Sequence, residues 1–385
     1  MPAYLHALAT QVPPCCYTQD YARDRMMSWL ADPRVRRLAR QVYDRSGIHQ
    51  RHSVLTDFQP GTEPELFKAG PEGRPREPST QERNRVYIRE SRRMSVEVAR
   101  AALRRSPWLK TAEVTHVITV SCTGFYNPGP DYDVVTGLGL AGTVERYHLG
   151  FMGCYAAFPA LRMANQFCQA NPNAVVLIVS LELCSLHLQV GGTLEGLLGN
   201  ALFADGAAAA VVSARLPGQP ALALGGFFSS LAPEGKGDMA WEIGDRGFNL
   251  VLSSYVPDII AANIGELMAA ADIDLASIRQ WAVHPGGKAI LDKVERALEL
   301  SPDKLEESRA VLRDYGNMSS ATILFVLERM QIAEPGDRVC ALAFGPGLTI
   351  ETAVLEWVCT AEILHRRDAE DTEERQERIA AALRR

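Results

Sequence analysis

Residues 150–167 read GFMGCYAAFPALRMANQF. Gly150 and Gly153 set a turn before Cys154, and beyond it small and apolar residues recur at the spacing of an amphipathic helix, expected over 155–170. On either side, 116–120 and 174–180 are apolar, β-branched runs with the length of buried strands. The alternation continues outward. Runs at 207–212, 280–283 and 339–344 read as strands, and the segments 256–271, 288–298, 303–315 and 320–330 carry helical periodicity. Such alternation predicts an α/β fold, a parallel or mixed sheet covered by helices.

The chain has 385 residues, of which 47% are hydrophobic and 22% charged, the composition of a compact globular protein with a large core. A net charge of -6 supplies no overall field for nucleic acid or an anionic membrane, so an anionic ligand needs a local basic patch. The opening MPAYLHALATQVPPCC lacks a basic leader with an apolar core, and no run approaches the ~18 apolar residues of a membrane span. A cytoplasmic protein without an integral membrane segment is expected. The 8 cysteines form no CxxC pair or regular spacing, which argues for reduced thiols and against a metal site or disulfide framework.

Residues 215–220, with two prolines and a glycine, divide the chain into comparable halves. The expected units are 1–215, 216–360 and a charged helical tail at 361–385 in which Glu and Arg recur at i,i+4. Residues 61–83, rich in Pro, Gly and Glu, are expected to form a surface loop.

Three segments carry candidate chemistry. Cys154 stands where a helix begins, and free N–H groups and the helix dipole there predict a lowered thiol pKa. His284, in WAVHPGGKAILDKV, follows an apolar strand at the edge where α/β proteins gather their sites. Asn317, in DYGNMSSATILF, sits on a glycine turn before a helix, where Asn alone would be an ordinary cap. A thiolate that attacks thioesters needs a cationic partner and donors for the oxyanion or enolate that follows, roles that His and Asn side chains can fill.

Taken with FGPGLTIE at Phe344 to Glu351, these segments resemble, in order and wording, the type III polyketide synthases, which include chalcone synthase. SCTGFYNPGPDY from Ser121 and NALFADGAAA from Asn200 extend the resemblance, which runs from Tyr4 to Trp357. It implies a thiolase-like, five-layer αβαβα fold of two pseudo-duplicated halves and a homodimer. It further implies that Cys154 takes an acyl group from CoA with His284 stabilising its thiolate as an ion pair, and that His284 and Asn317 hold the enolate of malonyl-CoA. No metal or redox cofactor is implied; the partners are acyl-CoA and malonyl-CoA.

Phe203 matches a gatekeeping phenylalanine of that family, and Cys122, Thr123, Cys184, His187, Trp241 and Ser319 fall where the family lines its cavity. The second gatekeeper falls at Leu250 by counting, with Phe248 two residues away. Arg45 matches one member of a basic cluster for CoA, with Arg40 and Lys288 as further candidates. Where Cys122, Cys184, His187 and Trp241 stand, plant members often have threonine or glycine, which points away from flavonoid-type starters; CTGF from Cys122 and MGCYAA from Met152 resemble the bacterial members that make alkylresorcinols or alkylpyrones from fatty acyl-CoA. The alternatives are a type III synthase with aromatic starters, and a ketoacyl-ACP synthase III, whose histidine motif and chain end differ from those here. A catalytically inactive scaffold of the same fold is disfavoured by retention of all three candidate residues.

Overall fold

The computed structural model describes residues 2–70, 73–361, 363 and 364. The strands are β1 (Ala3–Gln11), β2 (Cys15–Thr18), β3 (Gln50–Ser53), β4 (His116–Ser121), β5 (Glu145–Gly150), β6 (Val175–Leu183), β7 (Asp205–Ser213), β8 (Ala221–Leu231), β9 (Met239–Gly244), β10 (Gly247–Leu252), β11 (Ile278–Val283), β12 (Arg338–Gly345) and β13 (Thr349–Val358). The helices are α1 (Gln19–Trp29), α2 (Pro33–Asp44), α3 (Thr80–Arg104), α4 (Pro130–Leu138), α5 (Ala157–Ala170), α6 (Leu194–Leu202), α7 (Val256–Ala270), α8 (Lys288–Ala297), α9 (Glu306–Tyr315) and α10 (Thr322–Arg329).

Nine strands form one mixed sheet in the order β11-β12-β13-β8-β1-β7-β6-β4-β5. The pairing repeats. β4 runs parallel to β6, which is antiparallel to β7, itself antiparallel to β1. β11 runs parallel to β12, which is antiparallel to β13, itself antiparallel to β8. The antiparallel pair β1 and β8 joins the two sets, and residues 215–220 lie in the short connection from β7 to β8.

Side-chain alternation explains the layering, because a strand covered on both faces sends successive residues to opposite cores. From β6, Val176 and Ile178 enter a core shared with α5 and α10, whereas Val175, Leu177 and Val179 enter another with α3. From β12, Val339, Ala341 and Ala343 meet α5 and α10, whereas Cys340, Leu342 and Phe344 meet α7 and α8. Helices, half-sheet, central helix pair, half-sheet and helices therefore stack in five layers. Ala157, Ala160 and Ala164 of α5 and Ala208 and Ala210 of β7 are fully or almost fully buried, and their small side chains let the central helices approach the strands.

The expected strands and helices are present as β4, β6, β7, β11 and β12 and as α5, α7, α8, α9 and α10. Pro302–Leu305 and Ser319–Ala321 form tighter 3-10 turns ahead of α9 and α10. One expectation fails: residues 80–83 are not loop but the first turn of α3, where Ser79 and Glu82 cap each other's backbone N–H. The tail at 361–385 lies almost wholly outside the described residues. Among the described residues no helix is long and apolar enough to cross a membrane.

Candidate active site

Cys154, His284 and Asn317 come from three separate connections and line one cavity of about 310 Å³. Cys154 lies in the turn between β5 and α5. Gly153, at φ +96°, precedes it, and a Cβ there would stand 2.4 Å from Cδ of Pro346. A Cβ on Gly345 would come within 2.5 Å of the Tyr155 ring, so the Gly-Pro-Gly loop after β12 can lie across this turn only with glycine at both places. The Cys122 thiol accepts the Gly153 N–H at 3.0 Å and holds the turn from the other side.

His284 follows β11, and its N–H donates to Leu342 O at 2.8 Å. Its side chain is 1% exposed, and neither ring nitrogen has a hydrogen-bond partner. Burial pushes its pKa down to about 3, so the resting imidazole is neutral. Asn317 is tied by its backbone to the Phe203 segment, donating to Leu202 O at 2.9 Å and accepting from Ala204 N–H at 2.8 Å. Its side-chain oxygen accepts the Ser319 N–H at 2.8 Å, and its NH2 group donates to Gly286 O at 3.3 Å. These bonds fix which way the amide points and leave a second N–H hydrogen for the cavity.

The thiol does not behave as its position in the sequence predicts. Burial pushes the Cys154 pKa up to about 11, and hydrogen bonds from Ser319 and Asn317 offset this only in part. Cys154 precedes the first helical residue, Ala157, by three positions, and desolvation of the thiolate outweighs the helix dipole. Burial thus shifts the histidine down and the cysteine up, and the lowered thiol pKa expected from the helix start is not found.

Among the remaining expected cavity residues, Phe203, Cys122, Thr123, Cys184, Trp241, Leu250 and Ser319 line the same space. Leu250, not Phe248, faces it: Leu250 pairs with Trp241 across the β9–β10 hairpin, while Phe248 stacks on His187 at 3.9 Å. His187 is placed differently from expectation. It lines an adjoining hollow of about 50 Å³, donates from Nε2 to Thr123 O at 2.8 Å and accepts the Phe248 N–H at Nδ1. Burial holds it neutral, with its pKa pushed down to about 3. It fastens the hairpin to the loop after β4. Arg40, Arg45 and Lys288 lie outside the cavity lining; Lys288 follows Gly287 of the lining and pairs with Asp292 at 2.6 Å.

Two residues that the sequence reading passed over support the site. Glu182, fully buried at the end of β6, accepts the Cys122 N–H and the Thr123 hydroxyl, each at 2.9 Å, and the Ser320 hydroxyl. Burial raises its pKa, and its charge adds to the upward push on the Cys154 thiol. Its signal was a lone acid in an otherwise apolar strand, VVLIVSLEL. Arg51 donates to the carbonyls of Asn200 at 2.6 Å and Phe203 at 2.7 Å, anchoring the segment that carries Phe203. Among the described residues no group of three or more His, Cys, Asp or Glu side chains is placed to hold a metal ion.

Comparison with known proteins places this arrangement. Residues 1–216 match the N-terminal domain of chalcone and stilbene synthases, and residues 227–359 match the C-terminal domain. The structure is similar to PKS-I from the brown alga Ectocarpus siliculosus, with a TM-score of 0.83 and 28% identity over 93% of this chain and 98% of that one. It is also similar to the C-terminal type III polyketide synthase domain of Steely1, a type I/III hybrid from Dictyostelium, with a TM-score of 0.81 and 25% identity over 92% and 99% of the two chains.

Proposed function

The chain belongs to the chalcone and stilbene synthase family of type III polyketide synthases, and from that premise we propose that Cys154, His284 and Asn317 perform its decarboxylative condensation. The enzyme class is an acyltransferase acting on CoA thioesters. The observation that carries the assignment is the convergence of these three residues, from connections far apart in sequence, on a single cavity.

Loading begins when the Cys154 sulfur attacks the starter thioester. Because the thiol rests protonated, the neutral His284 imidazole takes its proton as the S–C bond forms, and the CoA thiolate leaves with a proton in exchange. Malonyl-CoA then enters and loses CO2. The enolate oxygen receives an imidazole N–H and the Asn317 amide N–H not bound to Gly286 O, a hydrogen released from Cys154 once the sulfur is acylated. Attack of the enolate carbon on the Cys154 thioester makes the new C–C bond and frees the sulfur for the next transfer. Arg40, Arg45 and Lys288 are the candidate cations for the CoA phosphates.

The starter is a medium or long fatty acyl-CoA, extended by a few malonyl units into an alkylresorcinol or alkylpyrone. Support comes from the wall: Leu198, Leu202, Leu250, Leu252, Ile290 and the thiols of Cys122 and Cys184 make it largely apolar. Each methylene buried there contributes about 0.8 kcal/mol. The test is incubation with malonyl-CoA and a panel of acyl-CoAs, with products identified by mass spectrometry. Decanoyl- and longer-chain CoA should dominate; equal turnover of coumaroyl-CoA and long-chain acyl-CoA would overturn this choice of starter.

A further inference from the structure

Helix α2 reads PRVRRLARQVYD and ends on Arg45. Arg34, Arg36, Arg37, Arg40 and Arg45 are all exposed, and among the described residues none of the five makes an ion pair. Seven further exposed arginines, Arg25, Arg85, Arg100, Arg104, Arg246, Arg279 and Arg296, also make no ion pair among the described residues, so the feature of α2 is that five fall within twelve residues, while other surface arginines are paired. Arg23 pairs with Asp20, Asp24 and Asp44, Arg89 with Glu65, Arg93 with Glu97, and Arg309 with Asp292 and Glu295. The two acids at the ends of α2 are also committed: Asp32 caps the Arg34 N–H at 2.7 Å, and Asp44 belongs to Arg23. In a protein of net charge -6, this is an uncompensated basic ridge.

Its position ties it to the site. Val35 of α2 packs against Gly192, just ahead of α6, whose Leu198 and Leu202 line the cavity. At the other end of the helix, Gly47 abuts the Lys288 side chain, next to Gly287 of the cavity wall. The ridge thus runs beside the catalytic chamber. From Arg34 to Arg45 it extends about 16 Å at the α-helical rise, longer than the phosphate cluster of one CoA molecule needs. Arg40, Arg45 and Lys288 are the candidate cations for those phosphates, and Arg34 and Arg36 have no part in that reading.

We infer that α2 docks an acidic acyl carrier protein, which delivers the starter to Cys154 on its phosphopantetheine arm. This rests on the reading of the cavity as a thioester-processing site. The transfer is a thioester exchange: the bond from the acyl carbon to the carrier's sulfur breaks, the bond to Cys154 forms, and the Cys154 proton ends on the departing thiol. An anionic membrane is the weaker occupant, because Val35, Leu38, Ala39, Val42 and Tyr43 face the protein core and leave no apolar face to insert.

The test compares decanoyl-CoA with decanoyl acyl carrier protein as starter donors, malonyl-CoA being the extender in both, for the wild-type chain and Arg34→Glu/Arg36→Glu. Glutamates in the first turn favour the helix dipole, so the variant should fold. The double variant should lose about tenfold or more in kcat/KM with the carrier-bound donor, while decanoyl-CoA stays within about twofold and the carrier reaction weakens steeply with salt. Equal losses with both donors, or no use of the carrier-bound donor by a wild type that turns over decanoyl-CoA, would overturn the inference. So would binding of the wild type to anionic vesicles, lost in the variant, without binding of the carrier. Calorimetric titration of the decanoyl carrier reports docking without turnover: docking in a protein that condenses neither donor condemns the reading of the site and spares the surface, and absence of docking condemns the surface.

Discussion

At Cys154 the residue type and its surroundings pull in opposite directions, since burial raises the thiol to about 11 and hydrogen bonds from Ser319 and Asn317 lower it. The sign sets an experiment. A raised pKa means that the thiolate fraction is small at neutral pH and grows about tenfold per unit until the pKa is approached. Labelling of the unliganded protein by iodoacetamide at Cys154 should therefore keep rising through pH 9, whereas a plateau at neutral pH would mean a resting ion pair. Asn317→Ala removes one of the offsetting bonds and should slow labelling at fixed pH. In turnover the same variant should lose about 10²–10³-fold in malonyl-CoA decarboxylation while still accepting an acyl group on Cys154, because its amide acts on the enolate. Failure to load would show that the roles are divided wrongly. Cys154→Ala should abolish product and move the unfolding midpoint by only a few degrees; condensation near the wild-type rate would remove Cys154 from the mechanism. Cys154, His284 and Asn317 could be singled out from sequence because their motifs have specific wording. Their protonation could not, because it depends on how completely segments distant in sequence exclude water.

Among the elements, those with continuous apolar runs, β4, β6, β7, β11 and β12, were legible, and so were α5 and α7 to α10 with their 3.6 spacing. The sheet's centre was not. β1 and β13 are broken by His6 and by Glu351, which hide the run of a buried strand, and the buried run of β8 ends at Leu224, before Gly225 and Gly226. Each interruption is satisfied only in three dimensions. His6 bonds Ser213 at 2.8 Å, Glu351 pairs with Arg162, and Gly225 lies where a Cβ would meet Val354 O at 2.3 Å. The β9–β10 hairpin is the element through which specificity can be tested. Its Trp241 fills space between the main cavity and the His187 hollow, in ring contact with Phe203, His187 and Phe248. Trp241→Gly should leave loading of Cys154 nearly unchanged and enlarge the chamber in which the extended chain folds. The ratio of resorcinol to pyrone should shift; an unchanged ratio, measured by mass spectrometry, would show that Trp241 does not shape ring closure.

For the whole molecule, the expectation is a homodimer in which residues 125–127 reach toward the partner's cavity. Phe125 is a large apolar side chain left 39% exposed, and Tyr132, at the start of α4, is 45% exposed. The Phe125 ring is not isolated from the site: it lies 5.6 Å from Phe151, which lines the cavity, and 6.1 Å from Phe248. A second copy covering this turn would therefore change both surface and cavity wall. Two-fold symmetry suits such a contact, because one turn can then serve both subunits, and isologous dimers are the commonest closed assemblies. A charge at its centre should be costly, since burying an unpaired guanidinium in an apolar interface carries a large desolvation penalty. Sedimentation velocity should accordingly show a dimer for the wild type and a shift toward monomer for Phe125→Arg, with activity falling in parallel on dilution. A wild-type monomer at micromolar concentration that retains full activity would remove the partner from the catalytic unit, and the turn would then be read as part of its own subunit's cavity wall.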